Sequence, residues 1–266
     1  MRSCFVVSCA AVMVLLLLGT GGASSPMDSV VWQTPYDNFS GSSLNTALWT
    51  VESSNGTLTT GTGGLTLTPT SLSGSGKNEV TIDATLVINN GAFFAALVPF
   101  SITTSGAGSG GLAGFGLSLQ SNDYSSDEYS SWFNANNFQR SGSTYNGTFF
   151  LSETDANNVT TNFTTTSTSV TQGELGLIYS GGMITDYYND GTGTGWQQLG
   201  TPLSTTGWTG PLKFSLFADI DTSGSLTAVV QDVQFGDSTA VPEPATMLLL
   251  GCGLFGVGIV GRKIKN

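Results

Sequence analysis

The 266-residue chain contains no histidine. This excludes Ser-His-Asp and Cys-His nucleophile systems, imidazole metal sites and the usual general base near neutral pH. Cysteine is nearly absent as well, with only Cys4, Cys9 and Cys252, none of them between residues 26 and 240. The long middle of the chain therefore forms no disulfide and offers no thiolate to zinc. Basic residues are few. Between residues 26 and 240 only Lys77, Arg140 and Lys213 stand against 17 acidic residues, a net of −14. Such a balance makes nucleic acid and anionic membrane poor partners. No stretch of this middle region keeps a helical period over three turns, and no pattern in it calls for a cofactor or a metal centre.

What the chain does have begins at its ends. Residues 1–25 carry a single charge, Arg2, then an apolar run from Phe5 to Leu18 and small residues from Gly19 to Ser25. This reads as a secretory signal peptide with its cleavage context at Gly21-Gly22-Ala23. Cys4 and Cys9 precede that site, and no cysteine follows closely enough to be a lipidated first residue. At the other end stand Val241-Pro242-Glu243-Pro244, 17 uncharged residues from Ala245 to Gly261, and a tail with Arg262, Lys263 and Lys265. The prolines fix φ and remove two backbone donors, so the box is extended and accessible to an enzyme's groove. The uncharged run is expected to form a transmembrane helix of roughly 25 Å, slightly short of a ~30 Å hydrocarbon core and weakened by five glycines. The basic tail stays on the cytoplasmic side and orients everything before Val241 outward.

Residues 241–266 resemble the PEP-CTERM sorting signal of Gram-negative bacteria that make extracellular polysaccharide. The resemblance implies recognition of Val241, Pro242, Glu243 and Pro244 by an exosortase, a membrane transpeptidase. It also implies membrane anchoring before processing, and the cell surface or extracellular matrix afterwards. It leaves open what the body of the protein does.

That body, residues 26–240, is long enough to bury a core without cross-links. Its polarity comes mostly from Ser, Thr, Gly and Asn, which suits strands and turns. Val80, Ile82, Ala84, Leu86 and Ile88 share one face of a strand, with Glu79, Thr81, Asp83 and Thr85 on the other. The same two-residue period recurs at Leu65/Leu67, Phe115/Leu117/Leu119, Leu212/Phe214/Leu216/Ala218 and Leu226/Ala228/Val230. After Val230 the parity shifts to Val233 and Phe235, which predicts a bulge or bend near Asp232. Ala92 to Phe100 is continuously apolar, as in a strand covered on both faces, and Pro99 places its end near an edge. The expectation is an all-β, two-sheet antiparallel sandwich of roughly ten to fourteen strands.

Two segments are similar to concanavalin A-like (laminin-G-like) jelly-roll sandwiches. The first is Asp37-Asn38-Phe39-Ser40 with Leu48-Trp49 and Gly64-Leu65-Thr66-Leu67. The second runs from Gly176-Leu177-Ile178-Tyr179 through Tyr187-Tyr188-Asn189-Asp190-Gly191 and Phe214-Ser215-Leu216-Phe217-Ala218 to Val233-Gln234-Phe235. The resemblance implies terminal strands paired beside the first.

For catalysis only carboxylates remain. Glycosidases of this superfamily use a Glu-x-Asp-x-Glu strand, because a retaining mechanism wants two carboxyl groups roughly 5 Å apart. That motif is absent. Glu79 and Asp83 read as a solvated surface pair, as do Asp127 and Glu128, and a glycosidase would need carboxylates gathered from distant strands. Asp219-Ile220-Asp221-Thr222-Ser223-Gly224 opens like a calcium loop, but its twelfth position is Val230, where a bidentate glutamate belongs. It reads as a hairpin turn, with a calcium loop kept as the alternative. Trp132, Tyr187, Tyr188 and Trp196 are candidates for stacking on sugar rings, with one of the two tyrosines expected to face outward; Trp208 beside its own turn is weighed with them. The alternative is that these rings cover the sandwich ends. The reading that leads is a non-enzymatic, exported surface or matrix protein, with a carbohydrate-binding module as its rival and a glycan-degrading enzyme as the third.

Overall fold

The computed structural model describes residues 24–71, 78–105, 113–121, 128–134, 138–140, 143–145, 148–154, 160–167, 170–208, 210–221 and 223–237, with the strands between 128 and 167 described by backbone alone. The expected signal peptide, save its last two residues, and the whole sorting signal lie outside them. Among the described residues no helix is long and apolar enough to cross a membrane.

In chain order, after a 3-10 turn at Pro26–Ser29, the strands are β1 (Val31–Trp32), β2 (Trp49–Ser54), β3 (Gly56–Gly61), β4 (Gly64–Pro69), β5 (Asn78–Ala84), β6 (Phe94–Ser105), β7 (Ala113–Ser121), β8 (Glu128–Asn134), β9 (Phe138–Arg140), β10 (Ser143–Tyr145), β11 (Thr148–Thr154), β12 (Thr160–Ser167), β13 (Gln172–Ser180), β14 (Met183–Asn189), β15 (Gln197–Ser204), β16 (Leu212–Ile220), β17 (Ser225–Val230) and β18 (Gln234–Asp237). They form two antiparallel sheets. The seven-stranded sheet runs β12-β11-β8-β7-β16-β5-β2, and the nine-stranded sheet runs β15-β14-β13-β6-β17-β4-β3, with β18 pairing both β6 and β1. Short strands carry the count beyond the expected range, β1 and the β9–β10 hairpin among them.

The alternation read from the sequence sets the interior. Val80, Ile82, Phe115, Leu117, Leu119, Phe214, Leu216 and Ala218 line the seven-stranded sheet, and Leu65, Leu67, Val98, Leu175, Leu177, Ala228 and Val230 line the other. Each large apolar side chain removed from water there contributes roughly 1.5–3 kcal/mol. One expectation fails on this face. β5 ends at Ala84, Leu86 is exposed, and Ile88 reaches the sheet only as an isolated bridge to Leu212. The two-residue period continued into a loop that turns over the sandwich end.

The parity shift near Asp232 is present as a one-residue offset. Val230 pairs with Phe100 and Gln234 with Leu97, so the β17–β18 side carries one residue more than β6 across the gap. Val230, Val233 and Phe235 all stay buried because of it. Pro99 corrects the edge expectation, for β6 is central, between β13 and the β17–β18 pair. The proline sits at the offset itself, where the ladder is interrupted and its missing N–H costs nothing; its carbonyl accepts from Gln231 N–H at 3.3 Å.

The chain's described ends are zipped together. Val31 pairs with Asp237 and Trp32 with Gly236, Gln33 N–H donates to the Phe235 carbonyl at 3.1 Å, and Tyr36 N–H to that of Val233 at 2.7 Å. Ahead of this zipper the 3-10 turn is closed by a capping box, in which Ser25 N–H donates to Asp28 Oδ2 at 2.9 Å. Met27, Val30 and Trp32 then strap the outer face of the nine-stranded sheet over Ala95, Leu97, Ile178 and Tyr187. Two glycines make the close approach possible, since a Cβ on Gly176 would lie 2.3 Å from Met27 Cε and one on Gly236 would lie 2.2 Å from Val30 Cγ1.

The Asp-x-Phe and Trp of the opening segment form a clasp. Asp37 Oδ1 accepts from Phe39 N–H at 2.8 Å and Oδ2 from Trp49 Nε1–H at 2.9 Å, while the Phe39 and Trp49 rings pack 5.6 Å apart. Phe39 is held at φ 52°, a left-handed backbone that a bulky side chain adopts only when its surroundings demand it.

Candidate functional site

The outer face of the seven-stranded sheet gathers polar side chains that are far apart in sequence. Register sets Asp83 of β5 opposite Ser215 of β16, and Ser215 opposite Ser118 of β7. Ser215 Oγ donates to Asp83 Oδ1 at 2.6 Å, and Lys213 Nζ lies 3.1 Å from Asp83 Oδ2 and 4.0 Å from Glu52 Oε2. Four residues further along the same ladder, Asp219 stands opposite Glu79, whose Oε1 accepts from Thr81 Oγ1 at 2.5 Å. Glu79 and Asp83 are thus no solvated pair. Asp83 is 6% exposed, Ser215 0% and Asp219 3%, although all three point away from the inter-sheet core. Carboxylates from distant strands do meet here, which the sequence did not disclose, but Asp83 and Asp219 themselves are buried.

Asp219 to Gly224 also reads differently in the fold. β16 belongs to the seven-stranded sheet and β17 to the nine-stranded one, so the segment is a crossing between sheets and not a hairpin turn. Among the described residues no group of three or more metal-ligating side chains is close enough to hold an ion.

The aromatic candidates divide between several surroundings. Tyr188 lies in the inter-sheet core at 7% exposure, its hydroxyl donating to Gln197 Oε1 at 3.0 Å. Tyr187 does point to the outer face, as expected of one of the pair, yet it lies beneath the N-terminal strap at 4% exposure, with Trp196 packed into the same cluster. Burial, and then the neighbouring Asp186 carboxylate, push the Tyr187 phenol above its ordinary pKa. Neither tyrosine offers an open ring to a sugar. Trp208 is half-buried against the main core. Trp132 stands in register with Gly116 and Phe150, and its side chain is outside what is described. The sorting residues Val241, Pro242, Glu243, Pro244, Arg262, Lys263 and Lys265 likewise lie outside the described residues.

The open concavities are elsewhere. A groove of about 280 Å³ lies at the sandwich end where β18 finishes, between residues 33–36, which follow the strap, and the β5–β6 loop. Tyr36, Leu86, Val87, Ile88, Phe93 and Phe235 supply its apolar walls, and Gln33, Thr34, Asn89 and Asp237 its polar groups. Both walls are fixed by hydrogen bonds. On one side Tyr179 is fully buried, accepts from Gly91 N–H at 2.9 Å and donates to Asn90 Oδ1, while Asn90 Nδ2 donates to the Trp208 carbonyl at 2.9 Å. On the other, Tyr36 O–H donates to the Leu48 carbonyl at 2.9 Å, and Gln33 Nε2 donates to Asp237 Oδ2. Val87, at 63% exposure, and Leu86 are therefore held in solvent by a rigid loop. A second, shallower hollow of about 390 Å³ is lined by Pro99, Glu174, Asn189, Asp190 and Gln231 among others. Its carboxylates are engaged locally, Glu174 by Asn189 Nδ2 at 2.8 Å and Asp190 by Thr192 Oγ1 at 2.6 Å. Sequence reasoning missed the groove because three segments remote in sequence build it; the one signal was a pair of bulky apolar residues, Leu86-Val87, just past the last polar partner of β5.

Comparison with known proteins settles the tail. Residues 240–263 match the model of the PEP-CTERM protein-sorting motif. The chain carries a PEP-CTERM sorting signal. No curated protein matches the chain. Among solved structures, the chain is similar to the lectin UEA-II complexed with galactose (TM-score 0.54, 11% identity, 72% of this chain and 93% of that one). It is also similar to the exoplasmic/lumenal domain of VIP36 in a Ca2+/Man2-bound form (0.52, 8%, 83% and 94%). A third likeness is to GH43B of the Bacteroides ovatus xyloglucan PUL (0.53, 14%, 76% of this chain but 39% of that one). At these identities the likeness is one of fold: the body is a lectin-like, concanavalin A-like β-sandwich.

Proposed function

We propose that this PEP-CTERM protein is an exported, non-catalytic protein of the cell surface or extracellular matrix, cleaved from its signal peptide and then sorted by an exosortase-like membrane transpeptidase. The observation that carries this reading is the sorting motif at residues 240–263, placed directly after the last strand of a sandwich that ends at Asp237. The non-catalytic part rests on where the carboxylates are. A glycosidase needs two of them facing one open substrate site. Among the described side chains, Asp83 and Asp219 are buried, Asp237 is the one carboxylate lining the groove, and Glu174 and Asp190 hold local hydrogen bonds. The reading is tested by replacing Pro242, Glu243 and Pro244 with alanine in an exosortase-positive host. Insertion survives because the apolar run and basic tail are intact, recognition is lost, and the protein accumulates unprocessed in the membrane fraction. If that variant is processed and released like the parent, the sorting reading is wrong and the tail is a plain anchor.

A second reading, that the sandwich binds carbohydrate, is favoured by the preformed groove with its mixed apolar and hydrogen-bonding walls, on a fold shared with a lectin. Affinity electrophoresis of the protein through gels containing neutral polysaccharides tests it, with unchanged mobility in every gel counting against it.

A further inference from the structure

We propose that the groove between residues 33–36 and the β5–β6 loop is the sugar site of this protein, and that it takes the end of a neutral saccharide, one or two rings long. The proposal rests on the carbohydrate-binding reading above and gives it a place and a ligand class.

Four observations converge on it. First, the groove combines the two surfaces a pyranose presents. Tyr36, Phe93 and Val87 supply apolar wall for the C–H face of a ring, and Gln33, Thr34, Asn89 and Asp237 supply hydrogen-bonding groups for its hydroxyls. Second, the polar groups are already paired in a way that suits a vicinal diol. Gln33 spends one amide N–H on Asp237 Oδ2, which leaves its second N–H, its Oε1 and Asp237 Oδ1 as adjacent donors and acceptors. Third, the walls are immobilised before any ligand arrives, by the Tyr179 anchorage of Asn90 and Gly91 on one side and by the β1–β18 zipper on the other. A ligand then spends little of its interaction energy on ordering the loop. A rigid loop that keeps Leu86 and Val87 in water is otherwise an unfavourable arrangement.

Fourth, charge and volume narrow the ligand. Among the described residues of the lining, Asp237 is the one ionisable carboxylate and none is Lys or Arg, so uronate, sulfate and phosphate groups meet repulsion there. About 280 Å³ lies just below the usual range of roughly 300–1,000 Å³ for small-molecule sites, which suits a chain terminus or short branch more than an internal stretch of polymer. The polar face of the seven-stranded sheet is not a competitor in this form, because Ser118, Ser215 and Asp83 are buried.

The test uses the full chain, purified in mild detergent, with its parent sequence and the variants Val87→Ser and Gln33→Ala. Both substituted side chains are exposed and neither belongs to the core, so folding is preserved, as near-ultraviolet circular dichroism can verify. Calorimetric titration is run with neutral gluco-, manno- and galacto-oligosaccharides of two to six units and with alginate oligosaccharide as the anionic counterpart. The expected result is binding of at least one neutral oligosaccharide, none of alginate, and a weakening of tenfold or more in each variant. Parent-like binding by both variants overturns the groove while leaving carbohydrate binding standing. Binding to no member of the panel by the parent brings down the carbohydrate reading and the groove with it. A parent that dimerises, by light scattering, and a Val87→Ser variant that does not would make the groove a contact between copies and overturn the proposal.

Discussion

The clasp at Asp37 offers a sharp test of how the sandwich end is closed. In Asp37→Ala the two acceptors that serve Phe39 N–H at 2.8 Å and Trp49 Nε1–H at 2.9 Å vanish together. Trp49 is 1% exposed, so its indole N–H has no water to turn to, and an unsatisfied buried donor costs about 1–3 kcal/mol. The bond to Phe39 N–H also supports a backbone at φ 52°, whose strain of about 1–3 kcal/mol persists only where neighbours enforce it. That strain is already present in the parent, so whatever is released when the clasp opens offsets the loss, whereas the second lost hydrogen bond, from Phe39 N–H, adds about 1 kcal/mol to it. We expect a net loss of about 2–4 kcal/mol, from an acceptor that leaves the Phe39–Trp49 packing otherwise unchanged. In a domain of this size roughly 2–4 °C accompanies each kcal/mol, so the central value lowers Tm by about 6–12 °C. The assay is urea unfolding of residues 24–240 followed by tryptophan fluorescence, with a thermal melt beside it. Asp37→Asn is the informative control, because it keeps one carbonyl acceptor for one of the two donors and should fall between parent and alanine. A midpoint for Asp37→Ala that differs from the parent's by less than about 0.5 kcal/mol would refute the clasp, whatever Tm does, as that is the scatter of ordinary surface substitutions.

Three further outcomes follow from other elements. Gly176→Val places side-chain carbon where Met27 Cε already lies 2.3 Å from an ideal Cβ, so the strap is displaced; limited proteolysis read by mass spectrometry should gain early cleavage between residues 24 and 33, and an unchanged digest contradicts the strap. Lys213→Ala leaves the buried Asp83 carboxylate with Ser215 alone and should lower stability by about 1–3 kcal/mol in a denaturant titration, with Asp83→Leu/Lys213→Met recovering most of the loss, since apolar replacement of a whole buried pair is often neutral. The body has no cysteine, so its melting temperature should be the same with and without dithiothreitol; a shift of several degrees is incompatible with the cysteine inventory.

The inter-sheet core was legible because alternation is a local property. Val80/Ile82/Ala84 and Phe214/Leu216/Ala218 face inward for the reason their period shows, and the offset at Asp232 was visible as a slip in that period. Where the reading failed, a second element decided the outcome. Asp83 looked solvated until β16 brought Lys213 and Ser215 against it, and Tyr187 looked like an open ring until the strap, 160 residues away in sequence, covered it. Pro99 was assigned to an edge because proline cannot donate to a ladder, but an interruption inside the sheet satisfies the same condition. The groove escaped entirely. Its walls come from residues 33–36, 86–94 and 235–237, and no single stretch of sequence announces a concavity shared among three.

The pairing of β18 on both sides has a mechanical side. A membrane that holds the sorting tail pulls on the sandwich through Asp237, the last residue of a four-residue strand. A strand that short would peel from a single neighbour one rung at a time. β18 is instead gripped by β6, the middle of its sheet, and by β1, whose own residues run on into the capped turn and the buried Met27. A tug on the tail is therefore spread over two ladders and the strap at once, and the first few residues of the body serve as the backing of the seam from which the protein hangs.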